Sequence, residues 1–219
     1  MKVKVKAEPS NYEYELKKMA LILIDFQNDF LLPKGFGESL GNDVHLLWKA
    51  VSPTKKVLEE FRKKKLPIFH TREGHSPDLS DVPEIKLKIG NSKIGEKGPM
   101  GRILIKGQEG HQIIKELTPL KDEEVIDKPG KGAFYNTLFD QKLKLKGIKY
   151  LIITGVTTEV CVQSTVREAN DRGYSVLVLK DCVSSYKPKL HKAALDMIVS
   201  QSGIFGYIAN SKDFLNSFR

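Results

Sequence analysis

Three side chains able to do covalent chemistry stand where strand-like apolar runs end. Asp25 closes ALILID, Lys128 closes EVIDK, and Cys161 follows LIITGVTTEV. A thiol attacks as its anion, and a carboxylate within hydrogen-bond reach takes the thiol proton and later returns it to a leaving group. An ammonium beside both keeps the carboxylate ionised, favours the thiolate and orients a substrate. Cys161 gains further from its address, because the run passes Gly155 and two threonines and then opens a helix, whose first N–H groups are unpaired and carry partial positive charge. Taken singly, each residue has a plainer reading: a strand-end cap for Asp25, a surface cation for Lys128, a small buried hydrophobe for Cys161. Their joint placement favours chemistry. Cys182, which follows Asp181, has no comparable partners and reads as structural.

The elements that must position these residues alternate. Strands are predicted at residues 20–25, 66–70, 124–128, 150–155, 175–180 and 206–209, and helices at 51–65, 136–146, 158–172 and 189–202. Along the third helix Val160, Val162, Val166 and Ala169 form an apolar side against Arg167, Glu168, Asp171 and Arg172, and Gly173 stops it. Such alternation specifies a three-layer α/β domain of Rossmann-like type, with a mainly parallel six-stranded sheet between helices. Ligands of open α/β sheets bind outside the carboxyl ends of the strands, so a parallel sheet brings Asp25, Lys128 and Cys161 to one edge. The segment 74–110, rich in Gly, Pro and Ser, is expected to form a wall of the site or a subunit contact. The whole of 1–219 reads as one domain, with 1–19 an N-terminal extension packed on it.

Composition narrows the class. A net charge of +9 comes from lysines scattered without interleaved aromatics, which describes a solvated surface and implies neither a nucleic-acid nor a membrane partner. Two cysteines make no disulfide framework, no apolar run approaches the roughly 18 residues of a spanning helix, and the first residues lack a signal-peptide core. A cytoplasmic enzyme acting on a small molecule is expected. Gly95, Gly98 and Gly101 do not sit in a strand-to-helix turn, so no nucleotide cofactor is implied.

The segments LILIDFQNDF, VIDKPGKGAF and GVTTEVCVQSTVREANDRGYSVLVLKDC resemble the isochorismatase-like cysteine hydrolases over residues 12–206. The resemblance implies an Asp-Lys-Cys triad at Asp25, Lys128 and Cys161, a cis peptide between Val156 and Thr157, and an oxyanion hole from the N–H groups of Thr157 and Cys161. Within the family, HTREGHSPDLSD, GPMGR and REANDRGY are similar to the biuret and triuret hydrolases. That branch implies substrate contacts from Gln201, forty residues past Cys161, and from Phe30; Phe134 joins them through its place near Lys128. The nicotinamidases' metal-binding Asp-x-His falls here on Glu73, Gly74 and His75, which leaves too few ligands, so no metal is expected. Biuret hydrolysis to allophanate and ammonia through a thioester is the leading reaction the resemblance implies; triuret, ureidoacrylate, an N-carbamoyl compound or nicotinamide are the alternative substrates, and an isochorismatase, disfavoured by Cys161, or a non-catalytic binding member of the fold, disfavoured by the triad, are the rival readings. The same resemblance implies a homo-oligomer, a dimer or tetramer.

Overall fold

The apolar runs form a parallel sheet in the computed structural model, which describes residues 2–88 and 92–218. A hairpin of β1 (Lys2–Val5) and β2 (Tyr12–Glu15) precedes β3 (Met19–Ile24). Two short helices, α1 (Asn28–Leu31) and α2 (Phe36–Ser39), then α3 (Val51–Lys63), lead into β4 (Ile68–Glu73). The irregular region carries α4 (Glu84–Lys88) and a minimal hairpin of β5 (Lys97–Gly98) and β6 (Gly101–Arg102); its residues 89–91 lie outside the described part. The chain continues through β7 (Glu124–Lys128), α5 (Phe139–Leu145), β8 (Tyr150–Val156), a π-helical turn (Thr158–Val162), α6 (Gln163–Asp171), β9 (Ser175–Ser184), α7 (Pro188–Gly203), β10 (Tyr207–Ala209) and α8 (Ser211–Asn216).

The six main strands lie in the order β10-β9-β8-β3-β4-β7, every pair parallel. All carboxyl ends therefore share one edge. β3 is central and wholly buried, which suits its unbroken MALILI run, since a strand covered on both faces needs no polar alternation. One face packs Leu21, Leu23, Leu58, Phe61 and Phe214 against α3 and α8. The other packs Ile22, Ile24, Phe69, Ile153, Val162, Val166 and Ile198 against α5, α6 and α7. These are the expected three layers.

Three local features matter for the edge. β4 runs three residues beyond the expected 66–70, through Thr71 and Arg72 to Glu73, because an interior strand flanked by β3 and β7 stays paired whatever its side chains. β8 shifts register against β9 between Ile153 and Gly155, and Gly155 adopts φ +132° with its Cα so close to β3 that a Cβ would lie 2.3 Å from the Ile24 carbonyl oxygen. Only glycine fits there. The N-terminal hairpin buries Tyr12 and Tyr14, and Glu8 pairs with Ile208 on the edge strand β10.

Candidate active site

Asp25 leaves β3 with φ +52°, a left-handed conformation that aspartate tolerates better than most side chains. Its carboxylate is fully buried. Oδ1 accepts from Thr71 Oγ1 at 2.6 Å, and Oδ2 lies 2.7 Å from Lys128 Nζ. Lys128 is buried as completely and also donates to the Gly130 carbonyl at 2.9 Å. Burial alone would discharge this ammonium, yet Asp25 and the neighbouring acids raise its pKa above the ordinary lysine value.

A fourth ionisable side chain joins them that the sequence did not single out as catalytic. Glu73 stands directly opposite Lys128 across the β4–β7 ladder, with Oε2 3.9 Å from its Nζ and Oε1 paired to the half-exposed Lys131. Burial would raise the Glu73 carboxyl, but the Lys128 and Lys131 charges outweigh it and hold the group ionised. Gln27 fixes its backbone from both sides, accepting from Glu73 N at 2.7 Å and donating to Glu73 O at 2.9 Å. The signal available in the sequence was parity: Thr71 and Glu73 continue the inward face of Phe69.

Cys161 lies in the π-helical turn, 4% exposed, and its thiol donates to Glu73 Oε2 at 3.5 Å. Ligand atoms of Asp25, Glu73 and Cys161 all fall within 4.8 Å of one another. Burial pushes the thiol well above its usual pKa; Lys128 pulls against that rise, and Asp25 and Glu73 add to it. The peptide between Val156 and Thr157 is cis, as the resemblance implies. The Thr157 carbonyl accepts from Val160 N at 3.2 Å and from Val162 N at 3.3 Å, the second being the wide loop that defines a π-turn, a device frequent at functional sites.

The structure gathers Asp25, Lys128 and Cys161, with Thr157 at the foot of the turn, and it does not gather the other candidates. Phe30 is buried edge-on against Phe36 at 5.8 Å, and Phe36, not Phe30, reaches the neighbouring cavity. Phe134 packs at 4.8 Å on Phe139 and 5.8 Å on Tyr174, with the Arg172 guanidinium over its ring. The chain after Lys128 runs down α6, past Thr165 and Glu168, so sequence proximity to Lys128 carries Phe134 away from the thiol. Gln201 is exposed at a left-handed break, φ +48°, near the end of α7. Because α7 starts at the carboxyl edge and ends before β10 begins, Gln201 lies at the opposite edge from Cys161 within the chain.

A cavity of about 210 Å³ opens beside Glu73, which contacts Cys161, and is lined also by Lys131, Lys86, Phe36, Ile94 and Leu104. The irregular segment supplies Ile94 and Leu104, and so forms a wall of this cavity. Clefts of about 510 Å³ exist elsewhere, one between Arg62 and Lys146 at the amino edge, and neither is lined by a thiol or by Glu73. Among the described residues, Asp25, Glu73 and Cys161 are the one grouping close enough to share a metal. The Lys128 ammonium already occupies that grouping's charge position, and His75 faces Asp81 at 3.5 Å instead of joining it.

A sheet-edge thiol flanked by a buried carboxylate–ammonium pair is the arrangement the resemblance implies for a cysteine hydrolase, and the chain belongs to the isochorismatase family: the isochorismatase domain model matches residues 19–213. Among curated relatives, the ureidoacrylate amidohydrolase RutB of Yersinia enterocolitica is 30% identical, over 96% of this chain and 93% of its own. That of Acinetobacter baylyi is 28% identical over 98% and 89%. Among solved structures, N-carbamoylsarcosine amidase from Thermoplasma acidophilum superimposes with a TM-score of 0.69 at 28% identity, covering 89% of this chain and 96% of that one. A cysteine hydrolase from Pseudomonas syringae gives 0.80 at 22% identity with 93% of each chain covered, a likeness of fold.

Proposed function

We propose that the protein is a cysteine-dependent amidohydrolase that cleaves a non-peptide C–N bond of a small linear ureide, with biuret, giving allophanate and ammonia, as the leading substrate. The observation that carries the reading is the fully buried Asp25–Lys128 pair beside a buried thiol. In the reaction, Asp25 takes the proton of Cys161 as the sulfur bonds to the substrate carbonyl carbon, and the carbonyl electron pair moves to oxygen under the N–H groups of Thr157 and Cys161. The oxyanion collapses, the C–N bond breaks, and Asp25 returns the proton to the departing nitrogen as ammonia. Water then adds to the thioester and gives its proton to Asp25, which passes it to the Cys161 sulfur as the C–S bond breaks and the acid is released. Lys128 keeps Asp25 charged and in place throughout.

The cavity supports a compact substrate, and Glu73 with Lys131 on its floor offers one acceptor and one donor, as the alternating N–H and C=O groups of a ureide require. Ureidoacrylate is the second reading, favoured by several relatives that carry that activity in their names. Lys86 and Lys131 on the cavity wall, against the single carboxylate of Glu73, also suit the carboxylate of such a substrate. Ammonia release measured with biuret, triuret, ureidoacrylate and nicotinamide decides: turnover of the first two supports the leading reading, and turnover of ureidoacrylate alone replaces it.

A further inference from the structure

Glu73 is not needed by the reaction just written, yet it is the group the thiol touches. We propose that Glu73 is the acceptor that holds Cys161 as a neutral thiol in the free enzyme and yields that bond to a substrate N–H, releasing the thiol toward Asp25 only when the site is filled. The inference rests on Cys161 being the nucleophile. The 3.5 Å contact is from Sγ to Glu73 Oε2, and Oε1 is already taken by Lys131, so a single carboxylate oxygen is available to the thiol. Lys131 holds the carboxylate at Oε1, and Gln27 pins the backbone from which it extends. Glu73 lines the cavity, so an entering ureide meets it before reaching the sulfur.

Charge completes the argument. The groups facing the sulfur are Asp25 from β3, Glu73 from β4, Lys128 from β7, Lys131 from the loop beyond it, and the neutral phenol of Tyr186 after β9. Two anions balance two cations, and ionising Cys161 in the free site would leave a buried net charge of about −1, which is costly without a compensating partner. Glu73 is thus a positioning residue: the proton stays on Sγ until the C–S bond forms, and then passes to Asp25.

The test is the pH dependence of iodoacetamide alkylation of the full-length protein, read at Cys161 by mass spectrometry with Cys161→Ala as the blank. Neutralising one anion in Glu73→Gln lowers the midpoint of the alkylation profile by about one pH unit or more and speeds alkylation at neutral pH about tenfold. Lys131→Met, which removes a cation, moves the midpoint upward. An unchanged or higher midpoint in Glu73→Gln, or a fall in Lys131→Met, overturns the proposal; should Glu73→Gln not fold, the Lys131→Met arm stands alone. Replacing a charged acceptor by a neutral one also raises KM for the ureide about tenfold, and an unchanged KM overturns the substrate half. Full hydrolysis by Cys161→Ala would instead refute the nucleophile itself, a result the alkylation profile does not mimic.

Discussion

Replacing Lys128 by methionine keeps most of the side-chain volume and deletes one buried cation. Its Nζ lies 2.7 Å from Asp25 Oδ2, 2.9 Å from the Gly130 carbonyl and 3.9 Å from Glu73 Oε2, with no exposure of either Lys128 or Asp25. The substitution therefore leaves Asp25 with the Thr71 hydroxyl as its remaining side-chain donor, at a carboxylate with no exposure to bulk solvent. Breaking a buried ion pair from one side costs about 3–5 kcal/mol. For a chain of this size each kcal/mol is about 2–4 °C in Tm, so Lys128→Met is expected to melt about 6–20 °C below the parent. Asp25→Asn breaks the same pair from the other side, and the double variant is expected to be less destabilised than the sum of the two, with a coupling of about 1–3 kcal/mol. Thermal and urea unfolding of the four proteins give these numbers. A Lys128→Met protein that melts within about 2 °C of the parent, or a strictly additive cycle, would show that the pair is not desolvated as the structure has it. Loss of this preorganised charge is also expected to lower kcat about 10²–10³-fold.

Cys161→Ala is expected to abolish hydrolysis with an unchanged near-UV CD spectrum, and Asp25→Asn to lose about 10²–10⁴-fold in kcat at ordinary substrate affinity. Gly155→Ala, at φ +132° and against the Ile24 carbonyl, is expected to cost about 2–4 kcal/mol in urea unfolding and to lose activity besides, since Ile24 immediately precedes Asp25. Stability should also fall with acid. Burial, helped by the Arg72 charge, depresses His111 from 6.5 to about 4, so the unfolded chain binds its proton first as pH drops. His111's contribution is complete above 6.5 and is lost between there and about 4, the loss being on the order of 1 kcal/mol at pH 5.5. Burial likewise depresses His70. Glu123 behaves similarly at lower pH: although burial opposes it, hydrogen bonds from His70 and Arg62 bring it to about 2, so its share is lost as pH falls below 4.5. Unfolding midpoints in urea at pH 7.5 and 5.5, with His111→Asn as the flattened control, check this, and a pH-independent midpoint would contradict it.

Asp25, Lys128 and Cys161 were legible because each terminates an apolar run, and run ends in a parallel sheet coincide in space. Glu73 terminates a strand as well, but the last three residues of β4 are Thr71, Arg72 and Glu73. Apolar content therefore marks the end at His70, while the backbone ladder, fixed by neighbours on both sides, continues. The soft assignments fail for a related reason. Phe134 was placed by its nearness along the chain to Lys128 and Gln201 by the resemblance to the biuret hydrolases, and neither fixes a direction within this chain: one segment descends along α6, the other follows α7 to the far edge. The wall supplied by Ile94 and Leu104 was foreseen only as a region, because contacts such as the Leu104 N–H to Asp29 Oδ2 at 3.0 Å are set by tertiary packing.

The pairing of Glu73 with Lys128, and of Ile24 with Thr71 and Gly155, ties the site to the alignment of four strands. A slip of one residue in β4 would turn Thr71 and Glu73 to the other face while leaving the helix and strand content nearly intact. Such a chain would look folded by far-UV spectroscopy and would have no thiol acceptor and no second anchor for Asp25. Specific activity per mole of folded protein is therefore a gauge of strand alignment, able to tell a correctly threaded sheet from one that is merely present.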